Sequence, residues 1–110
     1  MTAVKERIFS YIKENLGIDD TEVVNELLEE YCATFKEYLV KIPQCLENSD
    51  ADGLYRAAHS LKGCSGNVGH ELVHEICLKL EAAARAADFS GAAVIFAQLQ
   101  DAAKEMCGNC

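Results

Sequence analysis

The sequence lacks any hydrophobic run long enough to cross a membrane. A spanning helix needs roughly 18 or more consecutive apolar residues, and charged or polar residues interrupt every apolar stretch of this chain before that length. The N-terminus also lacks the apolar segment that is typical of a secretion signal. We therefore expect no membrane insertion and a cytoplasmic location.

Positive charge is scarce as well. The chain has 10 Lys and Arg against 18 Asp and Glu, which gives a formal net charge of −8. No predicted helix carries a basic stripe, and proteins that bind nucleic-acid backbones neutralise phosphates with Lys and Arg. We therefore expect no nucleic-acid partner.

Nucleotide-binding loops are also missing. The sequence contains neither a glycine-rich nucleotide loop nor a P-loop, and its acidic residues do not cluster in the way that a Mg²⁺ site requires. The chain is therefore not expected to be a kinase, to hold a metal or to carry a cofactor of its own.

No segment alternates apolar and polar residues with the period of a β-strand, whereas helical periodicity recurs along the whole chain. This pattern predicts an all-α fold. A chain of 110 residues, 50% of them hydrophobic, can bury one core but not two. We therefore expect a single domain over residues 1–110, and a monomer.

The helical segments predict an antiparallel four-helix bundle with up-down-up-down topology over residues 20–106, capped by a short helix over residues 1–17. The longest predicted helix has apolar residues at alternating steps of four and three, which is typical of a left-handed bundle. These residues are Val24, Leu28, Tyr31, Phe35, Tyr38, Ile42 and Cys45. Pro43 lacks a backbone donor, so it is predicted to kink or interrupt that helix in its last turns.

The cysteines do not have the spacing of a disulfide framework. Four of the 6 lie at or beside apolar helical positions, which indicates reduced core residues. Cys107 and Cys110 form a lone C-x-x-C pair after the last helix. A frayed chain end is the favoured interpretation of this pair, with metal binding or oxidation as the alternatives, and its role stays open.

His59 is predicted to face water. On a helix that turns about 100° per residue, an apolar arc forms on one side and His59 points away from it. The arc contains Leu54, Ala57, Ala58, Leu61 and Cys64. Lys62 and Gly63 lie beside the histidine, and a glycine inside a helix costs about 1 kcal/mol relative to alanine. Gly63 is therefore expected to leave the imidazole open to close approach. The alternative is an ordinary surface histidine beside a misplaced helix end.

The run from His59 to Gly63, followed by small residues and Val68-Gly69, resembles the signature of histidine-containing phosphotransfer (HPt) domains. The flanking runs Leu46–Ala58 and Leu72–Arg85 also resemble that family, and the similarity covers roughly residues 20–106. The resemblance implies a four-helix phosphocarrier rather than an enzyme with its own kinase activity.

The resemblance also implies a mechanism. His59 would accept a phosphoryl group from a receiver-domain aspartate and pass it to another receiver domain. Lys62 would stabilise the phosphoryl group, Gly63 would give access, and Mg²⁺ is expected on the partner receiver. The implied partners are response-regulator receiver domains and hybrid histidine kinases.

Receiver domains in this family dock on a partly apolar face around the histidine. The candidates for that face in this chain are Tyr55, Gly66 and Leu78, with Arg56 as a nearby positive charge. The residues do not identify the upstream kinase, the downstream regulator or the direction of phosphoryl flow.

Two other interpretations remain open. A helical adaptor could bind a receiver or kinase without turnover, although it would not need His59, Lys62 and Gly63 together. His70-Glu71-Leu72-Val73-His74 matches the H-E-x-x-H pattern of zinc hydrolases. Both rings are expected at the edge of the polar face of their helix, with Glu75 or Glu81 as the third ligand, and this hypothesis is the less favoured one.

Overall fold

A computed structural model describes residues 3–18 and 20–107. Within these ranges the chain forms five helices: α1 (Ala3–Asn15), α2 (Thr21–Glu47), α3 (Ala51–Asn67), α4 (Glu71–Arg85) and α5 (Phe89–Cys107). The described ranges contain no strand, so the all-α prediction is confirmed. None of these helices is long and apolar enough to cross a bilayer.

Four of the helices form a bundle, and the fifth is added to it. Helix α3 packs between α2 and α4, and α5 completes the ring by packing on α4 and α2. The short connections at residues 48–50, 68–70 and 86–88 reverse the chain, so neighbouring helices run antiparallel. Helix α1 packs on α2 and α5. The predicted bundle with an additional N-terminal helix is confirmed.

The apolar seam of α2 forms one wall of the core. Val24, Leu28, Phe35 and Ile42 are at most 1% exposed, as the alternating spacing predicts. The helix nevertheless runs through Pro43 to Glu47, so the predicted interruption is wrong. Proline removes a single backbone hydrogen bond, whereas the last turns of α2 remain anchored because Ile42 is fully buried.

An aspartate caps the start of α3. The Asp50 side chain accepts a hydrogen bond from Gly53 N at 2.9 Å, which satisfies one backbone donor that the first turn leaves unpaired. A cap of this kind typically contributes about 1 kcal/mol. The helix therefore begins at a defined residue, and along it Leu54 and Leu61 lie in the core whereas His59 is exposed.

The connection between α3 and α4 is held by α1. Helix α3 continues to Asn67. Gly69 in the turn has φ +73°, and the Tyr11 ring of α1 occupies the space that a Cβ at this position would need. Helix α1 therefore covers the turn that joins the two helices.

The internal cysteines are core or half-buried thiols, as predicted. Cys45, Cys64 and Cys77 form no disulfide. Cys77 is fully buried, and burial together with the charge of Glu81 raises its pKa to about 12. The pair Cys107 and Cys110 extends beyond the described residues, so its role stays open.

Candidate functional site

Helices α3 and α4 present their functional side chains along one antiparallel groove. Tyr55 contacts Arg85, and His59, one turn later on α3, contacts Glu81, one turn earlier on α4. Because i and i+4 residues lie above one another on a helix, the four side chains form two neighbouring layers across the groove.

His59 is exposed but not unrestrained. Its side chain is 60% exposed, as the helical pattern predicts, and its Nδ1 lies 3.3 Å from Glu81 Oε2. A carboxylate can only accept hydrogen bonds, so Nδ1 must carry the proton in this contact. The lone pair of a neutral imidazole then lies on Nε2, on the side of the ring away from Glu81.

Glu81 is the buried centre of the site. Its side chain is only 7% exposed, and Lys62 Nζ lies 2.6 Å from Oε1 and donates a hydrogen bond to Oε2 at 3.2 Å. Burial raises the pKa of Glu81, but the hydrogen bonds and charges of Lys62 and His59 outweigh burial, so the net pKa lies below its ordinary value. The carboxylate is therefore ionised and paired with both residues.

Tyr55 and Arg85 border the histidine on its other side. The rings of Tyr55 and His59 stack with their centroids 5.8 Å apart and their planes at 14°. Arg85 Nη2 donates to the Tyr55 hydroxyl at 3.0 Å, and its guanidinium carbon lies 5.0 Å from the Tyr55 ring centre. Tyr55, which the sequence analysis named only as a docking candidate, thus contacts the candidate nucleophile directly.

The two glycines named from the sequence have different surroundings. A Cβ at Gly63 would have no atom within 4 Å apart from the local helix, so no packing contact within the described chain requires a glycine there. A Cβ at Gly66 would lie 3.4 Å from His74 Cδ2, so Gly66 borders the half-buried His74 ring. The open space beside His59 is therefore at Gly63.

The remaining docking candidates lie on the surface. Leu78, 46% exposed, is on the turn of α4 that precedes Glu81. Arg56 is exposed and forms an ion pair with Asp52, one turn earlier on α3. The hydrogen bond and charge of Arg56 lower the pKa of Asp52, and those of Asp52 raise the pKa of Arg56.

The H-E-x-x-H segment does not have the arrangement that was expected for it. His70 is the N-cap residue of α4 and is only 3% exposed, with its Nδ1 2.8 Å from the Tyr31 hydroxyl. Burial lowers the pKa of His70 to about 4. The expectation that His70 and His74 both lie at the edge of the polar face is therefore wrong for His70. In the described part of the chain, no three His, Cys, Asp or Glu side chains group closely enough to hold a metal.

The expectation for Glu81 is also wrong. It was named with Glu75 as a possible third zinc ligand on a solvent-facing helix, but it is buried and bound to Lys62 and His59. The hydrophobic pattern of α4 carried no signal for this pairing, because the partners of Glu81 are on α3.

The family model of the Hpt domain matches residues 26–108, which includes the whole groove. The chain belongs to the Hpt domain family. The crystal structure of histidine-containing phosphotransfer protein B from Pseudomonas aeruginosa PAO1 is similar to this Hpt domain, with a TM-score of 0.77 and 26% sequence identity over 89% of this chain and 82% of that chain. No curated protein matches the sequence.

The function follows from the family assignment. This Hpt domain has a phosphorelay histidine phosphotransfer function. Hpt phosphotransfer proteins are carriers, and Hpt domains interact with receiver domains and kinases in phosphorelays. The matched region begins at residue 26, so α1 lies outside it although it packs on the same bundle.

Proposed function

We propose that His59 is the phosphoryl acceptor of this Hpt domain. The observation that carries the proposal is the orientation of its imidazole. His59 is 60% exposed, and its Nδ1 faces a buried carboxylate, which leaves the nucleophilic lone pair on Nε2. The neighbouring histidines lack this arrangement, since His70 is buried against Tyr31 and His74 is half-buried.

The proposed transfer begins on the receiver, which supplies an aspartyl phosphate and the Mg²⁺ that neutralises its oxygens. His59 Nε2 attacks the phosphorus, an N–P bond forms, and the P–O bond to the aspartate breaks with its electron pair going to the leaving carboxylate. The imidazole gains positive charge as the bond forms, because Nδ1 keeps its proton. The Glu81 carboxylate faces that proton and stabilises the charge. Transfer to a second receiver reverses these steps.

Lys62 and Gly63 have different roles in this proposal. Lys62 lies next to His59 through their shared partner Glu81, so its ammonium can turn toward the phosphoryl oxygens once they arrive. Gly63 leaves open space beside the ring, which lets the receiver backbone come close. Tyr55, Gly66 and Leu78 form the partly apolar face on which we expect the receiver to dock, and Arg56 adds a positive charge at its edge.

The test is phosphoryl transfer from a receiver domain phosphorylated on its aspartate. The wild-type chain is expected to gain an acid-labile, base-stable phosphate, and His59→Gln to gain none. His74→Gln removes a histidine from the same pair of helices and is expected to accept phosphate at the wild-type rate. Lys62→Met is expected to accept phosphate about a hundredfold more slowly.

Phosphate on the His59→Gln variant would contradict the proposed acceptor. A wild-type chain that binds the phosphorylated receiver but gains no phosphate would instead identify a helical adaptor. Circular dichroism spectra of His59→Gln and His74→Gln should match the wild-type spectrum, because the His59 side chain is exposed and His74 is only half-buried.

A further inference from the structure

Three side chains lie in series across the groove: Arg85 on α4, then Tyr55 and the candidate nucleophile His59 on α3. Arg85 holds Tyr55 at two points, through the hydrogen bond to the hydroxyl at 3.0 Å and through the guanidinium 5.0 Å from the ring centre. Tyr55 in turn stacks on His59 with nearly parallel ring planes. The charged end of the series is thus anchored on one helix and the imidazole on the other.

The hydrogen bond to Glu81 restrains His59 incompletely. Its Nδ1 to Oε2 distance of 3.3 Å is longer than the usual 2.7–3.2 Å of a protein N–H···O bond. Such a contact determines which nitrogen faces the bundle but leaves the ring plane free to tilt about that contact. The Tyr55 ring lies along the face of the imidazole, where it opposes this tilt.

Tyr55 can perform this function only if its own ring is held in place. It is half-buried, so packing covers one part of the ring and leaves the other exposed to solvent. Arg85 binds the exposed part. Its position in the last turn of α4 suits a cation, because the end of the helix dipole there is negative. Arg85 therefore keeps Tyr55 against His59.

We propose that Arg85 and Tyr55 are positioning residues that hold the His59 imidazole with Nε2 directed outward. This inference rests on the proposed function of His59. Neither residue is assigned to contact the phosphoryl group; both act through the orientation of the ring. Loss of either is expected to slow transfer and to allow reaction at the wrong nitrogen.

A small phosphoryl donor separates orientation from receiver docking. Phosphoramidate donates its phosphoryl group to imidazole nitrogen: an N–P bond to the ring forms, the N–P bond of the donor breaks, and ammonia leaves. The full chain is incubated with phosphoramidate, the rate is followed, and ³¹P NMR distinguishes phosphate on Nε2 from phosphate on Nδ1. Wild type is expected to react at Nε2.

The variants are Arg85→Gln and Tyr55→Leu, with Lys79→Gln as the matched control. Lys79 is an exposed cation on α4 outside the groove, so its removal makes the same change in net charge. Arg85→Gln and Tyr55→Leu are expected to react about two- to tenfold more slowly, the factor that an aromatic contact of this kind is worth, and to gain the Nδ1 isomer. Tyr55→Phe keeps the stacked ring but loses the Arg85 hydrogen bond, so it should lie between Tyr55→Leu and wild type.

The outcomes separate the two proposals. Wild-type rate and wild-type isomer in both Arg85→Gln and Tyr55→Leu would overturn the positioning role and leave His59 as the acceptor. An equal loss in Lys79→Gln would overturn the positioning role of Arg85, because the change in net charge would then explain the effect of Arg85→Gln. Absence of phosphate from His59 in the wild-type chain would overturn the proposed function, and the positioning role with it.

Discussion

Two regions of the α3–α4 hairpin each pair a histidine with a glycine, and they use the pair in opposite ways. In the middle of α3, His59 is 60% exposed and Gly63 opens onto empty space. At the turn before α4, His70 is 3% exposed and Gly69 lies under the Tyr11 ring. The same residue types therefore provide access in the helix and packing at the turn.

The difference arises from what each backbone position faces. His59 lies within α3, on the side away from the core, and the group bonded beneath its ring is Glu81. His70 lies at the start of α4, where the chain turns inward and brings the ring beside Tyr31. A histidine is therefore not marked as a nucleophile by its presence in a motif; exposure and the partner of Nδ1 decide its chemistry.

The largest expected effect on stability is at the packed glycine. Gly69→Ala places a Cβ on a backbone with φ +73° and against the Tyr11 ring. The left-handed conformation and the overpacking together should lower the free energy of unfolding by about 2–4 kcal/mol. Urea unfolding of Gly69→Ala, Tyr11→Ala and the double variant Tyr11→Ala/Gly69→Ala checks this. If the free energy of unfolding fell in the double variant by at least the sum of the two single losses, the clash with Tyr11 would not be the cause.

The buried histidine should make stability depend on pH. Folding lowers the pKa of His70 from 6.5 to about 4, so below pH 6.5 the unfolded chain takes up a proton that the folded chain does not. Stability is therefore lost as the pH falls from about 6.5 toward 4, by about 2 kcal/mol at pH 5. His70→Gln keeps a polar group beside Tyr31 but does not titrate.

The measurement is urea unfolding of wild type and His70→Gln at pH 7.5 and pH 5. Other groups titrate in both proteins, so the difference between the two losses isolates His70, and wild type should lose about 2 kcal/mol more. Equal losses would mean that the folded protein does not hold the His70 ring in its neutral form, and the contrast with His59 would weaken.

The smallest expected effect has the opposite sign and sharpens the contrast. Gly63→Ala adds a methyl group in open space inside α3, so the free energy of unfolding should rise by about 0.5–1 kcal/mol. Transfer from a phosphorylated receiver should nevertheless slow, while the reaction with phosphoramidate should not. A stabilised variant with the wild-type rate of receiver transfer would show that close approach does not explain this glycine.

The fold could be predicted from the sequence because its determinants are local and repetitive. The four-three spacing of α2 predicts residues that are indeed buried, such as Phe35 and Ile42. The short connections predict antiparallel neighbours, and the exposed position of His59 follows from the apolar arc on the opposite side of α3. Pro43 does not interrupt α2, because the packing of the turns around it outweighs a single lost hydrogen bond.

The candidate site was predictable only in part. His59, Lys62 and Gly63 lie within one turn of each other, so one helix displays them together. Glu81 and Arg85 were missed as members of the site. In the sequence they form an i, i+4 pair of opposite charge on α4, but in the structure Glu81 binds Lys62 and His59 while Arg85 binds Tyr55.

The sequence by itself determined the helices, the bundle and the outward direction of His59, because helical periodicity and chain reversal depend on nearby residues. The tertiary structure alone decided which nitrogen of His59 faces Glu81, and that His70 is buried at the turn. Both depend on contacts between helices, whose relative rotation and register come from packing of the whole core. A sequence pattern within one helix carries no record of the side chain that a second helix brings against it.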